Sequence, residues 1–127
     1  MKSKIWWIVG SIVVVLLIVG GVWYESWYQS QPGQYDAFAS CIAQSGVKFY
    51  GAFWCPHCQA QKEMFGKSVD KLPYVECSTP DGNSQTQVCI DKGIKEYPTW
   101  VTKTGSTTAG VLTFDQLSQL SGCAVPQ

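Results

Sequence analysis

Two cysteines, Cys55 and Cys58, enclose Pro56 and the chain's one histidine, His57. Cys-x-x-Cys spacing serves three chemistries: a thiol–disulfide redox pair, half of a zinc site, or haem attachment. Haem attachment needs a His directly after the second Cys, and that position holds Gln59. A zinc ribbon needs a second close pair, whereas eleven residues separate Cys77 from Cys89. Redox use is favoured by position, because a strand pattern leads into Cys55 and a helix pattern starts there. At a helix start several backbone N–H groups lack partners and the dipole is positive, so a thiolate is stabilised. Cys55 is therefore expected as the exposed nucleophile that forms mixed disulfides. Cys58, one turn later, is expected to resolve them. His57, between the two, adds to thiolate stabilisation by its ring or charge. A stabilised reduced form makes the disulfide oxidising, away from about −270 mV and toward about −120 mV.

The elements that must hold this pair are readable on either side of it. Tyr35, Phe38, Ala39 and Ile42 fall at i, i+3, i+4 and i+7, one buried helix face, with Gly46 as the stop. Val47 to Phe53 has only Lys48 charged, which fits a central strand buried on both faces. Pro56 suits the first turn of a helix reaching about Phe65. Tyr74 to Cys77 reads as a second strand, and Gln85 to Lys92 as a short helix closed by Gly93. Trp100 to Thr102 and Thr107 to Leu112 form a hairpin pattern around Gly105. Thr113-Phe114-Asp115-Gln116 has the form of a capping box, with Leu117 and Leu120 on one face of a last helix. The order α-β-α-β-α-β-β-α predicts a three-layer α/β/α domain over residues 34–127.

The 127-residue chain has room for one such domain, and its amino terminus cannot belong to it. Ile5 to Tyr24 carries no charged residue. About 20 helical residues rise roughly 30 Å, enough to cross a bilayer core. Residues 1–24 are thus expected to be a retained anchor with its span at 5–24. A cleaved signal peptide is the alternative, with Val19-Gly20-Gly21 a weak cleavage site. Lys2 and Lys4 precede the span and Glu25 follows it, which places the amino terminus in the cytoplasm and the domain outside. Trp6, Trp7, Trp23, Tyr24, Trp27 and Tyr28 cluster at the two ends, as interfacial aromatics do. Residues 25–33, ending in Gln31-Pro32-Gly33, read as a linker that breaks the helix. Formal net charge is zero and no basic cluster occurs, which argues against nucleic acid as a partner.

Phe53-Trp54-Cys55-Pro56-His57-Cys58 with Tyr97-Pro98-Thr99 downstream resembles the thioredoxin superfamily, over about residues 34–122. The Cys-Pro-His-Cys form is similar to that of periplasmic Dsb-type disulfide oxidases. The run from Tyr50 to Cys58, with Tyr74-Val75-Glu76-Cys77-Ser78 and Tyr97-Pro98-Thr99-Trp100, resembles the thioredoxin-like domain or partner of bacterial vitamin K epoxide reductase homologues. That resemblance implies a domain passing electrons from protein thiol substrates to a membrane enzyme, and so to a quinone. It implies no cofactor beyond the Cys55–Cys58 disulfide and no bound metal. It also implies a cis-proline at Pro98 and a substrate groove bordered by Trp54, Pro56, Tyr97, Pro98 and Thr99. One departure stands out: thioredoxins, and many of the oxidases, carry a buried acid six positions before the first redox cysteine, and here that position is Phe49. The route for the Cys58 proton is then unassigned.

Of six cysteines, Cys41, Cys77, Cys89 and Cys123 remain, with three possible pairings. Cys77 with Cys89 is favoured, closing a short loop around Pro80-Asp81-Gly82, and the resemblance points the same way. Closure would contribute about 3 kcal/mol by chain entropy. Cys41 with Cys123 is left by elimination. Alternatives are a free Cys41 and a second redox pair at Cys77 and Cys89. The expected function is a disulfide oxidase in the cytoplasmic membrane, facing the periplasm or an equivalent extracytoplasmic space and reoxidised by a quinone reductase. A reductase or isomerase fed by a membrane donor, a copper- or zinc-handling thiol protein, and a tethered interaction domain are the competing readings.

Overall fold

A computed structural model describes residues 2–125; Met1, Pro126 and Gln127, at the ends of the expected anchor and domain, lie outside the described residues. The side chain of Lys2, one of the two expected positive flanks, also lies outside them. The chain divides into two compact units, Met1–Gln31 and Pro32–Gln127.

The first unit is a single helix, α1 (Lys2–Ser30). It is long and apolar enough to cross a membrane, and its side chains from Lys4 onward are exposed. Its hydroxyls turn back on the helix: Ser11 Oγ donates to the Trp7 carbonyl at 2.8 Å and Ser30 Oγ to that of Trp27 at 2.7 Å. The helix does not end at Tyr24. Residues Glu25 to Ser30, expected as linker, remain helical. No Gly or Pro intervenes between Gly21 and Pro32, and Tyr24 stacks on Tyr28 with ring centroids 6.4 Å apart. The break comes at Pro32-Gly33.

The second unit is built on a four-stranded sheet: β1 (Lys48–Gly51), β2 (Tyr74–Glu76), β3 (Thr99–Val101) and β4 (Thr107–Ala109), in the order β2-β1-β3-β4. β1 runs parallel to β2 and antiparallel to β3, and β3 is antiparallel to β4. The helices are α2 (Asp36–Gln44), α3 (Pro56–Glu63), α4 (Gln87–Asp91) and α5 (Phe114–Ser121). The expected order of elements is the observed one, with a 3-10 turn at Gly66–Lys71 added.

Alternating side chains of the central strands enter two cores. Phe49 and Trp100 join the larger, with Phe38, Ala39 and Ile42 of α2, Cys58 of α3 and Leu117 of α5. Tyr50 and Val101 join the smaller, with Cys77, Cys89 and Ile94. Phe49 and Trp100 stack at 4.6 Å and 11°. Strand β1 is buried except at Lys48. Residues 52 and 53, which the apolar run placed in the strand, instead begin the turn into α3. Thr113 caps α5 through the expected box, its hydroxyl accepting from the Gln116 N–H while Gln116 Oε1 accepts from the Thr113 N–H. Gly46 ends α2 at φ +85°, a conformation that favours glycine.

Candidate functional site

The chain leaves β1 at Gly51 and turns at once, with the Cys55 N–H bonded to the Ala52 carbonyl at 3.0 Å. Cys55 is the N-cap of α3 in extended geometry, and Pro56 follows as the first helical residue. The Cys55 carbonyl accepts from the Gln59 N–H at 3.1 Å, and Gln59 Nε2 reaches back to the Phe53 carbonyl at 2.9 Å. This fixes the loop that presents the first sulfur. Cys58 lies one turn further on, and both residues are present as thiols.

Antiparallel pairing of Tyr50 with Thr99 brings the start of β3 beside this loop. The Tyr97–Pro98 peptide is cis, and the Tyr97 carbonyl lies 3.7 Å from Cys55 Sγ and can accept its S–H. Tyr97 packs edge-on against Trp54 at 6.0 Å. Both rings are then held by the loop between Cys77 and Cys89: Trp54 Nε1 donates to Ser78 Oγ at 2.9 Å, and Gln85 Nε2 donates to Tyr97 Oη at 2.7 Å. Trp54, Pro56 and His57 are exposed, Tyr97 is half-buried and Pro98 is buried. Thr99 is also buried, its hydroxyl donating to the Glu96 carbonyl at 2.7 Å, so its side chain faces inward rather than into a groove.

Cys55 was expected to be the exposed thiol, but it is only 5 % exposed, against 1 % for Cys58. Packing of the Tyr97–Pro98 segment over the helix start accounts for the cover. Burial pushes the Cys58 thiol up to about 12; the Cys55 hydrogen bond and charge push the same way, and Ala52 backbone hydrogen bonding and the Lys62 charge pull against them. Gly51 makes room for this thiol: a Cβ there would lie 2.8 Å from Cys58 Sγ and 2.9 Å from Tyr74 Cε2. Neither Gly51 nor Tyr74 was singled out for its chemistry from sequence. Glycine inside a strand pattern is the signal of such a close approach.

The disulfides are Cys77–Cys89, with Cα atoms 5.5 Å apart, and Cys41–Cys123, at 6.0 Å. The first closes the loop that holds Trp54 and Tyr97. The second ties α2 to the segment after α5. Among the described residues, no three His, Cys, Asp or Glu side chains gather as a metal-holding group, His57 and the two thiols included.

The thioredoxin family model matches residues 31–121. Thiol-disulfide oxidoreductase LTO1 of Arabidopsis thaliana is 38% identical over 96 residues, covering 72% of this chain and 25% of the plant protein. The chain thus spans about a quarter of the length of that curated relative. With a sheet that mixes one parallel and two antiparallel pairings, two free cysteines at the start of α3 and a family match over most of its length, the chain belongs to the thioredoxin family.

Proposed function

We propose that the chain is a thiol–disulfide oxidoreductase in which Cys55 exchanges disulfides with protein thiols and Cys58 completes each exchange. One observation carries this reading: Cys55 caps the start of α3 beside the Tyr97 carbonyl, with Cys58 buried one turn behind it. The first sulfur, 5 % exposed, lies beside the exposed Trp54, Pro56 and His57, and the second, 1 % exposed, lies one turn deeper. An incoming sulfur therefore meets Cys55; Cys58 leaves when a substrate thiolate opens the Cys55–Cys58 disulfide, and it attacks to re-form that disulfide when Cys55 is joined to the electron acceptor. The name of the plant relative, a thiol-disulfide oxidoreductase, agrees with this chemistry.

The direction we favour is oxidation of substrate thiols. Cys55 is the N-cap of α3, where the helix dipole favours negative charge, and the exposed His57 follows two residues later, which favours the reduced pair. Phe49 stands where thioredoxins, and many of the oxidases, carry an acid, and the lack of that acid counts against fast reductase chemistry. The resemblance to partners of vitamin K epoxide reductase homologues supplies the electron acceptor, a membrane quinone reductase. Helix α1 supplies the attachment, as an uncleaved signal-anchor in the cytoplasmic membrane. Lys4 on its amino-terminal side supports an extracytoplasmic domain.

The deciding experiment is the reduction potential of the Cys55–Cys58 pair in the full chain in detergent, equilibrated in glutathione buffers and read by thiol alkylation. Cys55→Ala serves as the blank. We expect a value above about −180 mV; a value near −270 mV would instead make the chain a reductant.

A further inference from the structure

An exchanging thiol must lose and regain a proton, and Cys58 is almost wholly buried. The position of the family's acid is filled by Phe49, which is fully buried and stacked on Trp100. Another carboxylate, that of Glu76 on β2, is joined to this region through the Tyr74 hydroxyl. Strand β1 lacks a side chain at Gly51, and through that gap Cys58 Sγ and the edge of the Tyr74 ring approach each other. The ring is fixed on several sides. Phe49 meets it edge-on at 5.1 Å, and Lys62 Nζ lies 3.4 Å from its centroid. The Tyr74 hydroxyl donates to Glu76 Oε2 at 2.8 Å. Glu76 Oε1 in turn accepts from the Ser78 N–H at 2.8 Å and the Phe53 N–H at 3.2 Å. The carboxylate is therefore anchored to the same loop that carries Cys55. The groups that bear on Cys58 are the Ala52 backbone, Cys55 before α3 and Lys62 on α3, while Cys58, Cys55 and Glu76 all bear on Tyr74 of β2. Burial and the Glu76 carboxylate both keep the Tyr74 phenol protonated at rest, as a group that relays a proton must be.

We propose that Tyr74 and Glu76 form the proton path of Cys58. As Cys58 attacks the Cys55–substrate disulfide, its proton passes by way of the Tyr74 hydroxyl to the Glu76 carboxylate. The Cys55–Cys58 bond forms, the Cys55–substrate bond breaks, and the substrate sulfur leaves as a thiolate carrying the electron pair. In the opposite direction the same path returns the proton to Cys58 as it departs. The inference rests on the exchange chemistry proposed above and holds for either direction of electron flow.

The test is a single turnover of the reduced full chain in detergent with the aromatic disulfide DTNB. Attack by Cys55 releases a first thionitrobenzoate, and resolution by Cys58 releases a second. Tyr74→Phe keeps the ring and Glu76→Gln keeps the shape. Each should slow the second release at pH 7 by about 10-fold or more, in the range of general acid–base effects, and leave the first within about twofold. The deficit should close toward pH 9.5, where hydroxide takes the proton, and Glu76→Asp should recover part of the rate. The proposal is overturned if either variant keeps the wild-type second release, or if the slowing is the same at every pH. The exchange reading fails separately, if Cys55→Ala still gives both releases or the wild type gives no second one.

Discussion

Cys55 and Cys58 are the same residue type one helical turn apart, and their surroundings give them different work. Cys58 lies between the Gly51 backbone and the Tyr74 ring, where a thiolate loses water and gains few donors. Its proton therefore bears on folding. Its value of about 12 in the folded chain stands above the ordinary 9.0. Below pH 9 folded and unfolded chains both hold the proton, and stability is full. Between 9 and 12 only the unfolded chain releases it, so stability falls as pH rises through that window. A chain carrying Cys55→Ala should thus lose urea resistance from pH 7 to 10.5 more steeply than one carrying Cys55→Ala and Cys58→Ala together. Burial, the largest cause of the shift, survives the loss of Cys55. Parallel curves would show that Cys58 is not desolvated as described. The placement of the two cysteines at a strand-to-helix turn was legible in the sequence, from their spacing and the patterns on either side. Tyr74 and Glu76 were not legible as partners of the thiol. They lie 16 and 18 residues after Cys58 and meet it only through the parallel pairing of Tyr50 with Val75 and Gly51 with Glu76.

At the scale of elements, hydrophobic spacing and turn chemistry predicted most of the domain. The face Phe38, Ala39 and Ile42 is buried as spaced, and the Thr113–Gln116 box forms because its two side chains lie only three residues apart, within one helical turn. Where neighbours decide, the sequence said less. Residues 66–71 follow α3 as a tight 3-10 turn, with Ser68 buried and its hydroxyl accepting from the Tyr35 N–H at 2.9 Å. No local pattern announces that contact across 33 residues. Gln61 is a similar case, a polar residue on α3 with no exposure. Its Oε1 accepts from the Leu112 N–H at 2.7 Å and its Nε2 donates to the Leu112 carbonyl at 3.1 Å, tying the redox helix to the segment before α5. Replacing it by an apolar residue strands two buried backbone groups, each worth about 1–3 kcal/mol. Gln61→Leu should therefore lower unfolding stability by about 2 kcal/mol or more in denaturant titration. Gln59→Leu, exposed on the same helix, should change it by less than about 1 kcal/mol, because water replaces its bond. Equal effects would mean that burial of Gln61 does not matter.

Across the whole molecule the two disulfides divide between fold and site. Cys41–Cys123 spans 82 residues and joins α2 to the tail after α5. Cys77–Cys89 spans 12 and closes the loop whose Ser78 and Gln85 hold Trp54 and Tyr97. The chain-entropy argument gives the longer closure about 4.5 kcal/mol and the shorter about 3 kcal/mol. The larger stabilisation thus falls to the disulfide outside the loop that holds Trp54 and Tyr97. Cys41→Ala with Cys123→Ala should lower the denaturation midpoint more, yet leave the rate of Cys55 exchange in the folded protein within about twofold. Cys77→Ala with Cys89→Ala should be the milder change in stability. It should alter that rate, because Trp54 and Tyr97 beside Cys55 both lose their support. Denaturant titration and thiol-exchange kinetics on the two double variants measure the two quantities separately. If the exchange rate followed stability alone, the loop would be a brace for the fold and nothing more. If it changed only in the second variant, the wall of the groove would be what the short disulfide holds in place.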